Sequence, residues 1–125
     1  MEVRVRFIAQ QAAGIGNLQG IDALREGLDY AVLEVFAPHD KTTLFRIEFI
    51  EGEDPALFDS SAFEVTSSFI PPSWRYFQLE SGSFSLCPEP WAQPGFWEAF
   101  YDRAPGARDV YESEKWKILT SEQPR

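Results

Sequence analysis

The sequence predicts an α+β fold, in which an antiparallel sheet of about five or six strands is covered by two C-terminal helices. Three observations predict it. Apolar and polar residues alternate in the first half of the chain, which is the two-residue period of half-buried strands. A Ser81-Gly82 pair separates two further apolar runs, as in a β-hairpin. Aromatic and apolar residues at helical spacing follow Gly95, at the end of the chain. Because strands come first and helices last, the helices are expected to pack on the sheet.

The N-terminal part is expected to supply one strand and one short helix. Glu2–Ile8 alternates apolar with charged residues and is the predicted first strand. The glycine-rich segment 10–20 is expected to be a turn. Its glycine spacing resembles that of a phosphate-binding loop only weakly, because no clear helix of a βαβ unit follows it. Ile21–Leu28 is the predicted short helix, ending near Gly27.

The central part is expected to contain a hairpin and a third strand. Tyr30–Pro38 and Thr43–Ile50 are apolar or alternating runs joined by a short polar turn, which is typical of a β-hairpin. Asp54-Pro55 has the order of an N-cap and a first helical residue, so a single helical turn is expected there. Phe63–Ser67 is a predicted short strand, and Pro71-Pro72 ends that unit because proline donates no ladder hydrogen bond.

The last third is expected to hold the second hairpin and both helices. Trp74–Glu80 and Ser83–Leu86 are its two predicted strands, on either side of the serine–glycine turn. Phe96–Tyr101 places four aromatic side chains on one broad helical face. Asp102–Leu119 is the predicted second helix, with a proline in its first turn.

Composition bounds the class of protein. We expect the 125 residues, 1–125, to form a single domain. Cys87 is the only cysteine, so no disulfide can form within the chain, which fits a reducing compartment. No apolar run has the length of a signal peptide core or a membrane span. The sequence therefore predicts a cytoplasmic protein.

One segment, residues 69–102, combines aromatic side chains with acidic charge. It holds ten of the 19 aromatic residues, and residues 51–102 carry nine acids and one base. An acidic field attracts basic proteins and repels nucleic acid and membrane phosphates, so neither of the latter is an expected partner. Acidic residues also keep an aromatic-rich protein soluble, and this simpler interpretation stays open.

No residue is assigned a catalytic role. His39 is the only histidine and lies in a predicted turn, without a nucleophile-elbow motif elsewhere. Cys87 is expected to be a small semi-buried residue. Glu89 and Glu98 flank two tryptophans and could serve glycoside hydrolysis, but nothing in the sequence fixes their separation.

No metal or cofactor is expected either. One histidine and one cysteine cannot form a usual transition-metal site. The acidic residues between Glu51 and Asp59 lack the spacing of a calcium-binding EF-hand loop.

A protein-binding surface is the remaining hypothesis. Carboxylates steer and select a basic partner, and tryptophan supplies binding energy. Trp91 is the predicted exposed anchor, because Pro90 and Pro94 bracket it in an apparent loop. The predicted partner-binding residues are Glu51, Glu53, Asp54, Asp59, Glu80, Glu89, Trp91 and Glu98.

A family resemblance points the same way. The sequence Gly95-Phe-Trp-Glu-Ala-Phe-Tyr-Asp102, the following stretch Ala104–Ile118, the size and the acidity resemble small acidic bacterial immunity proteins of secreted toxin systems. The resemblance implies a cytoplasmic inhibitor that binds a toxin, such as a basic nuclease, and occludes its active site. The alternative is a structural or assembly subunit, of a phage or a larger complex, that uses the same segment as a packing interface.

Overall fold

The computed structural model describes residues 3–8, 11 and 24–121, and its elements confirm the α+β class. This part of the chain holds eight strands and two α-helices. The strands are β1 (Arg4–Phe7), β2 (Asp29–Ala31), β3 (Glu34–Ala37), β4 (Leu44–Ile47), β5 (Ala56–Asp59), β6 (Phe63–Ser67), β7 (Trp74–Gln78) and β8 (Phe84–Pro88). The helices are α1 (Phe96–Tyr101) and α2 (Pro105–Thr120).

The strands form two antiparallel sheets, where the sequence had predicted one sheet of about five or six strands. The order is β2-β1-β6 in the smaller sheet and β5-β4-β3-β8-β7 in the larger one. All hydrogen-bonded neighbours are antiparallel.

The predicted strand Tyr30–Pro38 is two strands, one in each sheet. The change occurs between two adjacent buried residues. The N–H of Val32 donates to the carbonyl of Val3, the residue before β1 of the smaller sheet, at 2.8 Å. The N–H of Leu33 donates to the carbonyl of Arg46 in the larger sheet at 2.9 Å. The chain therefore passes from one sheet to the other within a single peptide step.

Both predicted hairpins are confirmed. β3 pairs with β4, and β7 pairs with β8 from Trp74↔Pro88 to Gln78↔Phe84. The second turn is longer than the predicted two residues. It runs from Leu79 to Ser83 and closes with Leu79 N–H donating to Ser83 at 2.8 Å.

Three local predictions differ from the structure. The helical turn expected at Asp54-Pro55 is absent, and the strand β5 follows directly. The predicted helix Ile21–Leu28 lies partly outside the described residues, and its described part, 24–28, forms a turn in which Gly27 has a φ of 79°. The glycine-rich turn at 10–20 lies outside them except for Gln11.

The larger sheet is the middle layer of the molecule. One of its faces, which includes Glu34 and Arg46, is covered by α1, against which α2 packs, and we call it the helix-covered face. The smaller sheet packs against the opposite face, where the ring of Phe63 lies 6.1 Å from that of Phe45. A single cluster of buried apolar residues joins these layers. Within the described ranges, no helix is long and apolar enough to cross a membrane.

Candidate functional site

A buried ion pair lies at the centre of the helix-covered face. Glu34 and Arg46 are directly opposite each other on β3 and β4, and Arg46 Nε donates to Glu34 Oε1 at 2.7 Å. Ser85 Oγ donates to the other carboxylate oxygen at 2.7 Å. Both charged side chains are less than a tenth exposed. The pair is therefore neutral as a unit, and each oxygen of its carboxylate accepts a hydrogen bond from a neighbouring strand.

The guanidinium of Arg46 also holds an aromatic side chain in place. Its Cζ lies 3.7 Å from the ring centroid of Trp97, within the range of a cation–π contact. Arg46 Nη1 donates to the hydroxyl of Tyr101 at 3.1 Å, and that hydroxyl donates to the carbonyl of Pro55 at 2.7 Å. Burial raises the pKa of Tyr101, so this hydroxyl keeps its proton. These contacts fix α1 on the sheet.

Two cavities adjoin this ion pair. The first has a volume of about 260 Å³ and lies between the sheet and the segment 91–98. Its walls include Phe36, Trp91, Phe96 and Trp97, its base includes Glu34, Arg46 and Ser85, and Glu98 also lines it. The second has a volume of about 660 Å³ and shares Arg46, Leu57 and Trp97 with the first. We call the first one the indole cavity.

Cys87 lies on the same face and is inert. Burial, followed by the neighbouring carboxylate of Glu34, raises the pKa of its thiol well above the ordinary value. His39, the other candidate for nucleophilic catalysis, is exposed on the β3–β4 turn and pairs with Asp40 at 3.1 Å. A thiol held protonated and a solvated histidine do not make a catalytic pair.

The acidic loop between β4 and β5 is tied to α2 at both ends. At one end, Glu48 accepts hydrogen bonds from the hydroxyl of Tyr111 at 2.5 Å and from Lys115 Nζ at 3.0 Å. At the other end, Asp54 pairs with Arg108 at 2.9 Å. The loop between them, with Glu51 and Glu53 exposed, therefore lies beside the helix.

The predicted partner-binding acids do not form one patch. Strand register places Glu51, Glu53 and Glu89 at the end of the larger sheet where Trp74 starts β7. Asp59 and Glu80 lie at the opposite end, about 15 Å away for strands of this length. Glu98 lies on α1.

Two of these acids also have structural roles. Asp54 is paired with Arg108, and Asp59 Oδ1 accepts hydrogen bonds from the N–H and hydroxyl of Ser61 at 2.8 and 2.6 Å. The remaining five, Glu51, Glu53, Glu80, Glu89 and Glu98, are exposed and form no ion pair with any described residue.

The expectation that Trp91 is an exposed anchor is wrong. Its side chain is 2% exposed, and its ring stacks on Tyr111 of α2 with centroids 5.4 Å apart. The two prolines do bracket a turn, Glu89–Ala92, but that turn folds under the helix. Trp91 therefore belongs to the core and not to a partner surface.

Trp116 is the exposed tryptophan that sequence reasoning missed. It is 66% exposed on α2, and Leu119, one turn later, is 43% exposed. The buried stripe of α2 runs through Tyr111, Glu114 and Ile118, so Trp116 falls outside it. Extending that stripe from the apolar residues at helical spacing would have located Trp116 on the solvent side.

Two residues near Trp116 in α2, Lys115 and Leu119, lie close to the acidic loop. Leu119, Lys115 and Glu51 line one cavity of about 390 Å³. The two lysines beside Trp116 are internally paired, Lys115 with Glu48 at 3.0 Å and Lys117 with Glu114 at 3.2 Å. Their charges are therefore already neutralised. We call the group Glu51, Glu53, Trp116 and Leu119 the acidic–tryptophan surface.

Metal chemistry has no support in the described residues, which contain no cluster of three or more histidine, cysteine or acidic side chains suited to an ion. In comparisons with known proteins, no family model, no curated protein and no solved structure matches this chain.

Proposed function

We propose that this chain is a non-enzymatic, cytoplasmic protein-binding module of the immunity type, which binds a basic toxin and occludes its active site. The observation that carries the proposal is the acidic–tryptophan surface. It combines a mostly exposed tryptophan with two carboxylates that have no ion-pair partner among the described residues. The predicted anchor Trp91 has no part in it.

Two energetic arguments support this assignment. Burying an exposed tryptophan in a partner supplies hot-spot energy, about 2 kcal/mol or more when it is truncated. Trp116 and Leu119 leave 66% and 43% of their surfaces exposed, which is apolar surface available to a partner. Unpaired carboxylates such as Glu51 and Glu53 lose no internal partner when they bind a basic protein, so their attraction is fully available to it.

The first test is recovery of the partner from the source cell. The chain is immobilised, lysate is applied at low and high salt, and any recovered basic protein is expressed alone and together with this chain. We expect one basic protein that is lost at high salt, because charge attraction is screened within about 10 Å at 0.1 M. We also expect its toxicity to disappear on co-expression.

Variants make the test specific to the surface. Trp116→Ala and Glu51→Gln should each weaken recovery and protection. Glu64→Gln, an exposed acid on β6, is the matched control and should leave both unchanged. Binding that ignores salt, or that survives Trp116→Ala together with Glu51→Gln, would count against the proposal.

A second candidate function, an assembly subunit, rests on a different observation. β7 is an edge strand of the larger sheet, and Tyr76 on it is 61% exposed, with its ring stacked on Phe84 at 5.2 Å. An open edge with an exposed aromatic side chain is a pairing surface. Size-exclusion chromatography distinguishes the two candidates. An assembly subunit should form oligomers that Tyr76→Lys dissociates, and a monomeric wild type would exclude this role.

A further inference from the structure

The strand β7 is an edge of the larger sheet, and its register shows which backbone groups point away from the sheet. In an antiparallel pair, residues that bond to the neighbouring strand alternate with residues whose N–H and C=O groups point the other way. The N–H of Leu79 donates to the carbonyl of Ser83 at 2.8 Å, in the register of the β7–β8 pair. Counting back from Leu79, the backbone groups of Tyr76 and Gln78 therefore point away from β8.

Only the beginning of this edge is closed by the chain itself. The carbonyl of Trp74 accepts from Arg75 Nη1 at 3.0 Å, and the N–H of Trp74 donates to the carbonyl of Pro71 at 3.0 Å. The outward groups of Tyr76 and Gln78 bond to no described backbone, and both side chains are exposed. Residues 76–78 carry no charge, although charged side chains often protect sheet edges. This segment is therefore open to another strand.

The open segment is complementary to a second copy of itself. Two copies can align antiparallel with Tyr76 of each opposite Gln78 of the other, so that open residues meet open residues. Each of these two pairs exchanges two hydrogen bonds, which gives four. The two-fold axis then passes beside Phe77, which lies opposite Phe77 of the second copy, and aromatic cross-strand pairs are favourable.

The charges that flank the segment match in the same alignment. Arg75 and Glu80 are exposed, and neither forms an ion pair with a described residue. Antiparallel alignment places Arg75 opposite Leu79 of the second copy and so beside its Glu80. A parallel, in-register alignment would instead place each charge beside its own equivalent. Charge complementarity therefore favours the antiparallel arrangement.

We propose that this chain forms a symmetric dimer in which the two β7 strands pair antiparallel through Tyr76 and Gln78. The two larger sheets then become one continuous sheet. Because both copies use the same segment, the association closes at two chains and does not grow into a filament. The acidic–tryptophan surface contains no residue of β7, so the dimer does not depend on the proposed toxin binding.

Sedimentation velocity of the purified full-length chain tests the dimer. The concentration is raised to about 1 mM, so that weak association is also detected. We expect a concentration-dependent equilibrium between monomer and dimer, without larger species. A chain that stays monomeric throughout, or that forms larger species, would overturn the proposal. No toxin is present, so a monomeric result leaves the proposed toxin binding intact, and absence of a toxin leaves the dimer intact.

Two variants at one position test the backbone pairing. Gln78→Ala keeps the outward N–H, and Gln78→Pro removes it. Proline is tolerated on an edge strand where the N–H faces solvent, and circular dichroism checks that both variants are folded. By symmetry the proline removes two hydrogen bonds from each dimer. It should therefore weaken dimerisation by about tenfold relative to Gln78→Ala. Equal dissociation constants would contradict pairing through this edge.

A charge exchange tests the alignment. Arg75→Glu and Glu80→Arg each bring like charges together and should weaken dimerisation by about two- to tenfold. The double variant Arg75→Glu/Glu80→Arg restores opposite charges and should recover most of that loss. Glu53→Arg, an exposed acid on another loop, is the matched control for net charge and should have no effect. A double variant no better than the single ones would overturn the antiparallel register.

Discussion

Arg46 and Glu34 form a buried ion pair across β3 and β4, with Nε and Oε1 2.7 Å apart. The same arginine also contacts the ring of Trp97 and the hydroxyl of Tyr101, so it connects the sheet to α1. Removing it would leave a buried carboxylate without its counter-ion.

The variant Arg46→Met is expected to lower the free energy of unfolding by about 3–5 kcal/mol, because it leaves Glu34 charged or forces it to take up a proton. Urea denaturation measures this loss. The double variant Glu34→Leu/Arg46→Met should recover much of it, because no charge is left buried. A single variant as stable as the wild type would show that the pair is not buried in solution.

Truncation of Trp91 should lower the free energy of unfolding far more than truncation of Trp116. Trp91→Ala removes a buried side chain and is expected to lower the free energy of unfolding by about 3–5 kcal/mol. Trp116→Ala removes a mostly exposed one and should change it by no more than about 0.5 kcal/mol. Thermal and urea unfolding of the two variants give the comparison. Similar losses in both would contradict the assignment of Trp116 to the surface.

The hydroxyl of Tyr111 joins α2 to the acidic loop through Glu48. Tyr111→Phe keeps the ring stacked on Trp91 and removes only this hydrogen bond. Because the acceptor is charged, we expect a loss of about 1.5–3 kcal/mol in the free energy of unfolding. Tyr76→Phe is the matched control, since its ring is exposed, and should be near neutral. Equal effects would mean that the Glu48 contact does not form.

Stability should fall at alkaline pH. Burial raises the pKa of Cys87 from an ordinary value of 9.0, and that of Tyr111 from 10.0. Above about pH 9, the unfolded chain therefore releases protons that the folded chain retains, which favours unfolding. The contribution is fully present below the ordinary pKa values and is lost as pH rises above them.

In the unfolded chain the cysteine loses its proton at a lower pH than the tyrosine, so its contribution to the pH dependence can be measured separately. Between about pH 9 and pH 10, Cys87→Ala should show a flatter decline of the unfolding free energy than the wild type, whatever its stability at neutral pH. Urea denaturation at several pH values measures the slope. Identical slopes would show that the thiol is accessible in the folded state.

The local patterns in the sequence predicted the hairpins and both C-terminal helices well. Alternation and the serine–glycine pair are properties of neighbouring residues, and they located β3–β4 and β7–β8. Helical spacing located α1, and α2 starts at Pro105, three residues after the predicted start, because Asp102 instead closes α1.

The misplaced features depend on contacts between distant residues. Trp91 is buried because it meets Tyr111, 20 positions away, and no local pattern shows that. The run at Tyr30–Pro38 reads as one strand because Val32 and Leu33 are both apolar. Their N–H groups bond to different sheets, and only the fold reveals the change. The indole cavity likewise needs residues from β3, β4, β8 and α1.

The position of β3 has a consequence for synthesis on the ribosome. β3 can pair with β4 soon after both leave the ribosome. Its other edge stays unpaired until β8, which begins at Phe84, has been synthesised. At about 5–20 residues per second, the meander β3–β4–β5 waits a few seconds with an open edge. During that interval the unpaired N–H and C=O groups of β3 are open to pairing with a strand of another nascent chain.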